Sequence, residues 1–519
     1  EFVDGRNCRV PDSDMPREFR LAAYATAALS SDLRREVLKP LLTDLGLPAD
    51  DCIRALQKAE ILIPRGPGRY SWPHALLQEH LSAQLAALPD RNRIYRGAAE
   101  ALKRHPLAAT RRVVRQRVLN LISAGAPDDA ALLLFDFLQH SWNGAREPLS
   151  TLSDLELLRN KLKGGVRAQK DRWRAEALRH VGRAAEAREY AERARSAFEG
   201  INDNANLAHA LRLLGHISSE LGNSIEGKGY AEQALALFRE QGDQLGQAQT
   251  EAVLAEIGYL LGDFESSRAL AQAGEKHFDS IDQPLGRGQC LLLSSWIEHS
   301  EGSVERSRRL ALEARAEFER VGYRLGTAQA NTSLAHVEHR MLNMRSAEVG
   351  AQEALVAFES LRTPRGQAAC RRLLAMVGID IDDPEMATLN AEWSARIYHD
   401  LDDPWGIVES KVLLAQVALL KRQVAEAEQL LRDSAATVVE EPEPQQHRLL
   451  TQAWLLREQG KEREATQAIE RAMRVFPDKR RVGDHTVHLL TRLDRYLWEG
   501  EARARLADWR AELRRPANN

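Results

Sequence analysis

Between Gly246 and Leu261 the apolar residues include Ala248, Ala252, Leu254, Ala255 and Ile257, spaced as one face of an α-helix. Gly262-Asp263 then breaks the pattern, because glycine accepts the left-handed conformation that ends a helix. Phe264 to about Ser280 resumes as a second helix. This pair is one copy of a longer rhythm. Phe198, Phe238, Phe278, Phe318 and Phe358 stand 40 residues apart, and Tyr398 continues the series. Eight residues after them come Gly246, Gly286, Gly326, Gly366 and Gly406, with Asn206 in the first place. Leu214, Leu254, Leu334, Leu374 and Leu414 keep the period, with Ser294 the exception, and Gly182, Gly222, Gly262 and Gly302 mark turns. No stretch here alternates with period two, so strands are not expected. A helix pair this small cannot bury its apolar face alone, whereas stacked copies can, which predicts a helical solenoid. Asn343 and Arg422 fall where the turn is expected to need no glycine, and Asp382-Asp383-Pro384 is expected to kink one copy. Glu440 to Pro444 reads as a linker that shifts the register, with a diverged copy at 445–476, turning at Gly460, and a polar capping pair over 484–515.

The first hundred residues follow another pattern. Pro16 to Leu29 and Asp32 to Leu45 read as helices, and Pro48-Ala49-Asp50-Asp51 starts a third that ends near Glu60, with acidic residues at its positive end. Ile61-Leu62-Ile63 and Tyr70-Ser71-Trp72 flank a tip rich in proline and glycine, a β-hairpin pattern. Three helices and a hairpin predict a winged-helix-like arrangement. The expected fold class is therefore all-α, a winged-helix-like N-terminal domain followed by a right-handed α-α superhelix. The expected domains are 1–90, winged-helix-like with an exit helix; 91–165, an irregular helical bridge; 166–429, the forty-residue repeats; and 430–519, the diverged repeat and capping helices.

Composition narrows the function. Of 519 residues, 44% are hydrophobic and 28% charged, enough for a real core, and 72 basic against 75 acidic residues leave a net charge of -3, which demands neither nucleic acid nor an anionic membrane. Cys8, Cys52, Cys290 and Cys370 are far apart with no C-x-x-C, as in a reduced, cytoplasmic protein. No run of eighteen apolar residues suggests a membrane span. The chain opens on Glu1-Phe2 rather than Met, as expected of a piece of a longer protein.

The pairs Leu214-Gly215, Leu254-Ala255, Leu334-Ala335, Leu374-Ala375 and Leu414-Ala415, with the Gly262-Asp263 turn, resemble the tetratricopeptide family in a forty-residue variant, over roughly residues 166 to 476. Upstream, Trp72, His74, Leu77 and Glu79, followed by Arg93, Ala98, Ala99 and Leu102, resemble the winged-helix exit of bacterial-type signal-transduction ATPases with numerous domains (STAND). That resemblance implies an ATPase module, with its ATP and magnesium, in a domain upstream of this chain, and a superhelix that gates it on binding a ligand. No cofactor is expected here. The alternative is a stand-alone scaffold holding a peptide or protein partner.

Candidate chemistry is sparse. Gly222 to Gly229, GNSIEGKG, approaches a phosphate loop, but Gly229 stands where Ser or Thr would hold magnesium and no strand precedes it. No H-E-x-x-H, G-x-S-x-G or Cys–His cluster exists, so no enzyme and no catalytic residue is expected. The third N-terminal helix mixes Arg54 and Lys58 with Asp50, Asp51 and Glu60, so direct DNA binding is not expected. The basic stretch Lys103 to Arg117 reads as a solvated face. One strip stands out. His336 and His339 recur in the period with His216, Glu256 and Trp296, and with Tyr259 and His299. His209, Arg212, Gln289, Gln329 and Thr332 lie earlier on the same side of the first helix of each pair. In tetratricopeptide proteins that side lines the concave groove. The strip predicts a groove for a peptide, protein or small polar ligand, densest at Trp296, His299, His336 and His339, and no metal site.

Overall fold

The computed structural model describes residues 15–29, 32–144, 147–158, 162–476 and seven later positions, Thr486, Leu489, Leu490, Leu493, Leu506, Ala507 and Trp509. The chain divides into two compact units, Glu1–Trp142 with Ser150–Lys170, and Asn143–Leu149 with Asp171–Asn519.

The first unit opens with α1 (Arg17–Ala27), β1 (Leu33–Arg34), α2 (Arg35–Asp44), α3 (Ala49–Lys58), β2 (Ile63–Gly66), β3 (Arg69–Ser71), α4 (Ala75–Ala87) and α5 (Arg91–Ala101). The strands form an antiparallel sheet in the order β1-β3-β2, with Leu33 opposite Tyr70 and Ile63 opposite Ser71. Two sequence expectations shift. Ile61 and Leu62 do not begin a strand; both are buried in the helical core with Leu38, Leu41 and Leu56, so the hairpin starts later. Asp32 to Arg34 is not helix, because Leu33-Arg34 pairs with β3, a strand too short to show alternation. Next come α6 (Arg111–Ser123), α7 (Pro127–Gly144) and α8 (Pro148–Leu157). The basic stretch before and within α6 is partly spent internally. Arg111 and Arg115 pair with fully buried Asp154, and Arg117 Nε donates to the Ala99 carbonyl at 3.3 Å.

The second unit is built from helix pairs: α9 (Gly164–His180) and α10 (Ala184–Gly200), α11 (Asn204–Glu220) and α12 (Ser224–Gln241), α13 (Gln244–Leu260) and α14 (Phe264–Ser280), α15 (Pro284–Ser300) and α16 (Val304–Arg320). Then follow α17 (Arg324–Arg340) and α18 (Met344–Leu361), α19 (Pro364–Asp380) and α20 (Pro384–Asp400), α21 (Pro404–Leu420) and α22 (Val424–Ala435), α23 (Pro442–Glu458) and α24 (Glu462–Met473). A left-handed residue recurs every twenty positions from Gly182 (φ 82) to Arg422 (φ 59). The turn expected to need no glycine still needs that conformation, since Leu342 takes φ 64 and Arg422 takes φ 59. The expected kink at Asp382-Asp383-Pro384 is likewise an ordinary junction. Asp382 takes φ 59, Pro384 opens α20, and the Asp383 carboxylate accepts the amide hydrogens of Glu385 and Met386.

The phenylalanine and glycine series prove to be one contact. A Cβ added at Gly246, Gly286, Gly326 or Gly366 would lie 2.3–2.6 Å from a ring carbon of Phe238, Phe278, Phe318 or Phe358, and at Gly406 it would lie 2.1 Å from Tyr398. Each ring from the second helix of a pair therefore lies flat on the first turn of the next pair.

The superhelix of this unit closes on itself. A Cβ at Gly182 would meet Leu401 at 2.6 Å, one at Gly222 would meet Pro404 at 2.5 Å, and one at Gly262 would meet Phe476 and Pro442 at 3.1 and 3.2 Å. The acidic linker joins this seam. Ser224 Oγ donates to Glu441 at 2.9 Å across 217 residues, and the Ile225 amide donates to Glu440 at 2.9 Å. The capping pair expected over 484–515 falls largely outside the described residues; Leu489, Leu490, Leu493, Leu506 and Trp509 are buried in one cluster with α21 to α24. Among the described residues no helix is long and apolar enough to cross a membrane.

Candidate functional site: the inner face of the superhelix

The odd-numbered helices from α11 to α23 stack directly on one another and form the inner layer. The predicted strip lies on these helices. Its first part is a lattice of charges. Arg179 Nη1 donates to Glu220 at 2.7 Å and reaches His216 Nδ1 at 3.2 Å, while His216 Nε2 lies 3.4 Å from Glu256. Glu176 sits between Arg179 and His180, each at 3.6 Å, and Arg212 at 3.7 Å. Burial alone would raise the Glu176 carboxyl, but the nearby His180 and the charges of Arg212 and Arg179 hold it well below the usual carboxylate range. Glu220 is depressed in the same way: burial opposes ionisation, and Arg179, the nearby His216 and Arg365 outweigh it. His209 goes the other way. Burial, with Arg172 and Arg212 nearby, pushes its pKa well below that of an ordinary histidine, so the ring is neutral. Its edge meets Phe238, with centroids 4.9 Å apart.

The middle of the strip is aromatic. The Tyr259 ring lies 6.2 Å from Trp296, and its hydroxyl is 3.2 Å from Ser300 Oγ. Trp296 is half-buried and bridges two apolar clusters, one with Leu292 and Phe318, the other with Phe264 and Ile297. The His299 and His336 rings meet edge to face at 6.3 Å. His339 is buried and bonded through Nε2 to Asp380 at 2.8 Å, and the buried Thr332 hydroxyl donates to the Ala328 carbonyl at 3.0 Å. Gln289 and Gln329 are half-buried. Glu256, with 38% of its side chain exposed, is the strip's most open charge. Among the described residues no three His, Cys, Asp or Glu side chains are grouped to hold a metal.

Sequence reasoning missed the α9 contribution of Arg172, Glu176 and Arg179, although Arg172 and Glu176 lie 40 residues before the strip positions Arg212 and His216, and Arg179 lies 80 before Tyr259. A second charged set lies further along, with Arg372 and Glu409 at the strip positions equivalent to Arg212 and His209. Arg365 pairs with Asp403 at 3.2 Å and reaches the Glu220 carbonyl at 3.4 Å. Arg372 lies over the Trp405 ring, and Glu409 binds His447 at 2.9 Å. The near-phosphate loop is only a turn at Gly222 followed by α12.

The first unit offers a separate cleft of about 810 Å³, lined by Arg34, Arg35, Lys39, Arg69 and Arg104 with Glu36 and Asp44. Its cations are largely engaged: Lys39 and Arg35 hold Asp50 at 2.9 and 2.7 Å, hydrogen bonds that lower that carboxyl to about 2.

No family model and no curated protein matches the sequence. Solved structures do match in shape. A signal-transduction ATPase with numerous domains carrying a tetratricopeptide-repeat sensor, from Pyrococcus horikoshii, aligns with a TM-score of 0.54 at 15% identity, over 81% of this chain and 63% of that one. This chain thus spans just under two thirds of that protein. A Rap protein complexed with competence and sporulation factor aligns with a TM-score of 0.48 at 13% identity, over 70% of this chain and 97% of that one. The quorum sensor NprR from B. thuringiensis aligns at 0.45 and 10% identity, over 68% and 99%. The likeness to the Pyrococcus structure, with the forty-residue helix pairs, gives this chain the fold of a tetratricopeptide-type superhelix preceded by a smaller, mainly helical unit.

Proposed function

We propose that this chain is the ligand- or partner-sensing arm of a STAND-type regulatory ATPase of bacterial type, acting in the cytoplasm. The observation that carries the reading is the inner layer itself: a strip of arginines, glutamates, histidines and aromatic rings lines the superhelix, buried at its ends and open at Glu256. Such a surface suits a peptide or protein segment with mixed polar and aromatic contacts. Two features support the STAND context. The first unit runs α1-β1-α2-α3-β2-β3, the order of a winged helix, and the Pyrococcus structure with the same fold bears a tetratricopeptide-repeat sensor. In this reading ATP and magnesium belong to an upstream nucleotide-binding domain, and this chain holds neither. A ligand that binds across several repeats changes the small rotations between them, and those rotations accumulate along the solenoid.

The second reading is a stand-alone scaffold that holds a partner's segment, which draws on the same strip and needs no nucleotide switch. The common core of both is tested by selecting peptides from a displayed random library against this chain. Selected peptides are expected to bind Glu256→Ala or Trp296→Ala at least tenfold more weakly, about 1.4 kcal/mol, with helicity retained. Equal affinity for wild type and both variants would place the ligand elsewhere.

A further inference from the structure

Charge along the inner face of α9 and α11 balances in pairs, with one exception. Glu220 serves Arg179 at 2.7 Å. Glu176 serves Arg179, His180 and Arg212 at 3.6–3.7 Å. Arg172 is left over. It is 7% exposed, its guanidinium lies over the Trp173 ring at 4.6 Å, and among the described residues it has neither a hydrogen-bond acceptor nor a carboxylate within 4.0 Å. Its Nε is buried with no acceptor. Burial and the neighbouring Arg212 lower its pKa to about 10, with Glu176 opposing. A buried guanidinium without an acceptor is costly, and three cations already share Glu176. His209, three residues before Arg212 and so on the same side of α11, adds a ring nitrogen. Arg172 and Arg212 are equivalent positions 40 residues apart; the next copies carry Ala252, Leu292 and Thr332, and where arginine returns, at Arg372, Glu409 lies 4.0 Å away.

We propose that Arg172, Arg212 and His209 form a subsite for an oxyanion, the carboxylate or phosphate group of the molecule received by the inner face. This deepens the proposed function and rests on it. Two planar guanidinium forks, one held flat by Trp173, match the oxygen edges of such a group, and the anion supplies the acceptor that Arg172 lacks.

The test is thermal unfolding and calorimetric titration of the whole chain with inorganic phosphate and, separately, with succinate, each against chloride at equal ionic strength. Wild type is compared with Arg172→Gln, Arg212→Lys and, as a control, the exposed Arg345→Gln. At about a hundredfold excess over Kd, phosphate or succinate is expected to raise the wild-type melting temperature by several degrees more than chloride. Arg212→Lys, which keeps the charge but not the fork, is expected to bind about tenfold more weakly. Arg172→Gln is expected to lose the response, and Arg345→Gln to keep it. A response to phosphate alone assigns the site to a phosphorylated ligand; a response to succinate assigns it to a carboxylate. No gain over chloride, or an equal gain in Arg172→Gln, overturns the subsite. Library peptides that depend on Glu256 and Trp296 would still uphold the inner-face reading in that case, so the two failures are distinct.

Discussion

Replacing Gly286 with alanine puts a methyl group where the Phe278 ring now lies. The added Cβ would stand 2.3, 2.4 and 2.6 Å from ring carbons Cε1, Cδ1 and Cζ. Carbon atoms in favourable contact sit about 3.5–4.0 Å apart, so the ring or the start of α15 must retreat by more than about 1 Å. Phe278 is 3% exposed and has little free space to move into. Two opposing terms decide the sign. Alanine is favoured over glycine in a helix by up to about 1 kcal/mol, and less so in a first turn, where Gly286 lies. Overpacking a filled site costs about 1–3 kcal/mol. The expected net effect is a loss of about 1–2 kcal/mol. Gly229, inside α12 with nothing within 4 Å of its added Cβ, is the internal control, and Gly229→Ala is expected to gain about 0.5–1 kcal/mol.

The assay combines urea unfolding with hydrogen exchange over α14 and α15, because a solenoid need not unfold in one step. Phe278→Leu shortens the ring and frees the space. In the double variant Gly286→Ala/Phe278→Leu the losses are expected to sum to less than the two single losses, with a coupling of about 1–2 kcal/mol. Gly286→Ala as stable as wild type, or strict additivity in the double variant, would refute the reading that ring and glycine form one contact.

The seam makes a second prediction. Ser224→Ala leaves the buried Glu441 carboxylate without its serine donor, a cost of about 1–3 kcal/mol, and hydrogen exchange is expected to rise both at the start of α12 and in residues 436–441. A rise confined to α12 would mean that the seam does not hold the two segments together. A third prediction concerns pH. Burial alone would lower the His447 pKa, but the charge and hydrogen bond of Glu409 raise it above the ordinary histidine value. A raised folded pKa contributes stability that is fully present below the unfolded value, about 6.5, and is lost as pH rises through the folded one. The stability gap between wild type and His447→Gln is therefore expected to be wider near about pH 6 than near about pH 9 in urea unfolding. Equal gaps would mean that His447 is neutral in the fold.

The repeat was legible because its two strongest markers, Phe278 and Gly286 and their equivalents, are the two halves of one contact and must recur together. The left-handed turns were legible only where glycine fills them. Leu342, Arg362 and Arg422 adopt the same conformation because the helices on either side dictate it, and their side chains carry no sign of it. The seam was not legible at all, since the curvature that brings Ser224 to Glu441 accumulates over 217 residues and leaves no local pattern.

The inner face lies between these cases. Stacking with a period of forty places a residue beside the one about 41 further on. Arg179 meets Glu220, Tyr259 meets Ser300, and His339 meets Asp380, each at a separation of 41. The pair His336 and His339 therefore belongs to a column running across repeats, in which each side chain is answered by the next copy. Read as a column, the charges can be balanced from sequence alone, given the register. Within the repeat unit the column starts on α9, the helix before the first phenylalanine marker, and there Arg172 stands with the equivalent Arg212 above it. A buried cation at the head of a column, with no carboxylate of its own and a second arginine in the next copy that already draws on Glu176, is the place where this surface has most to gain from an anion that the chain does not supply.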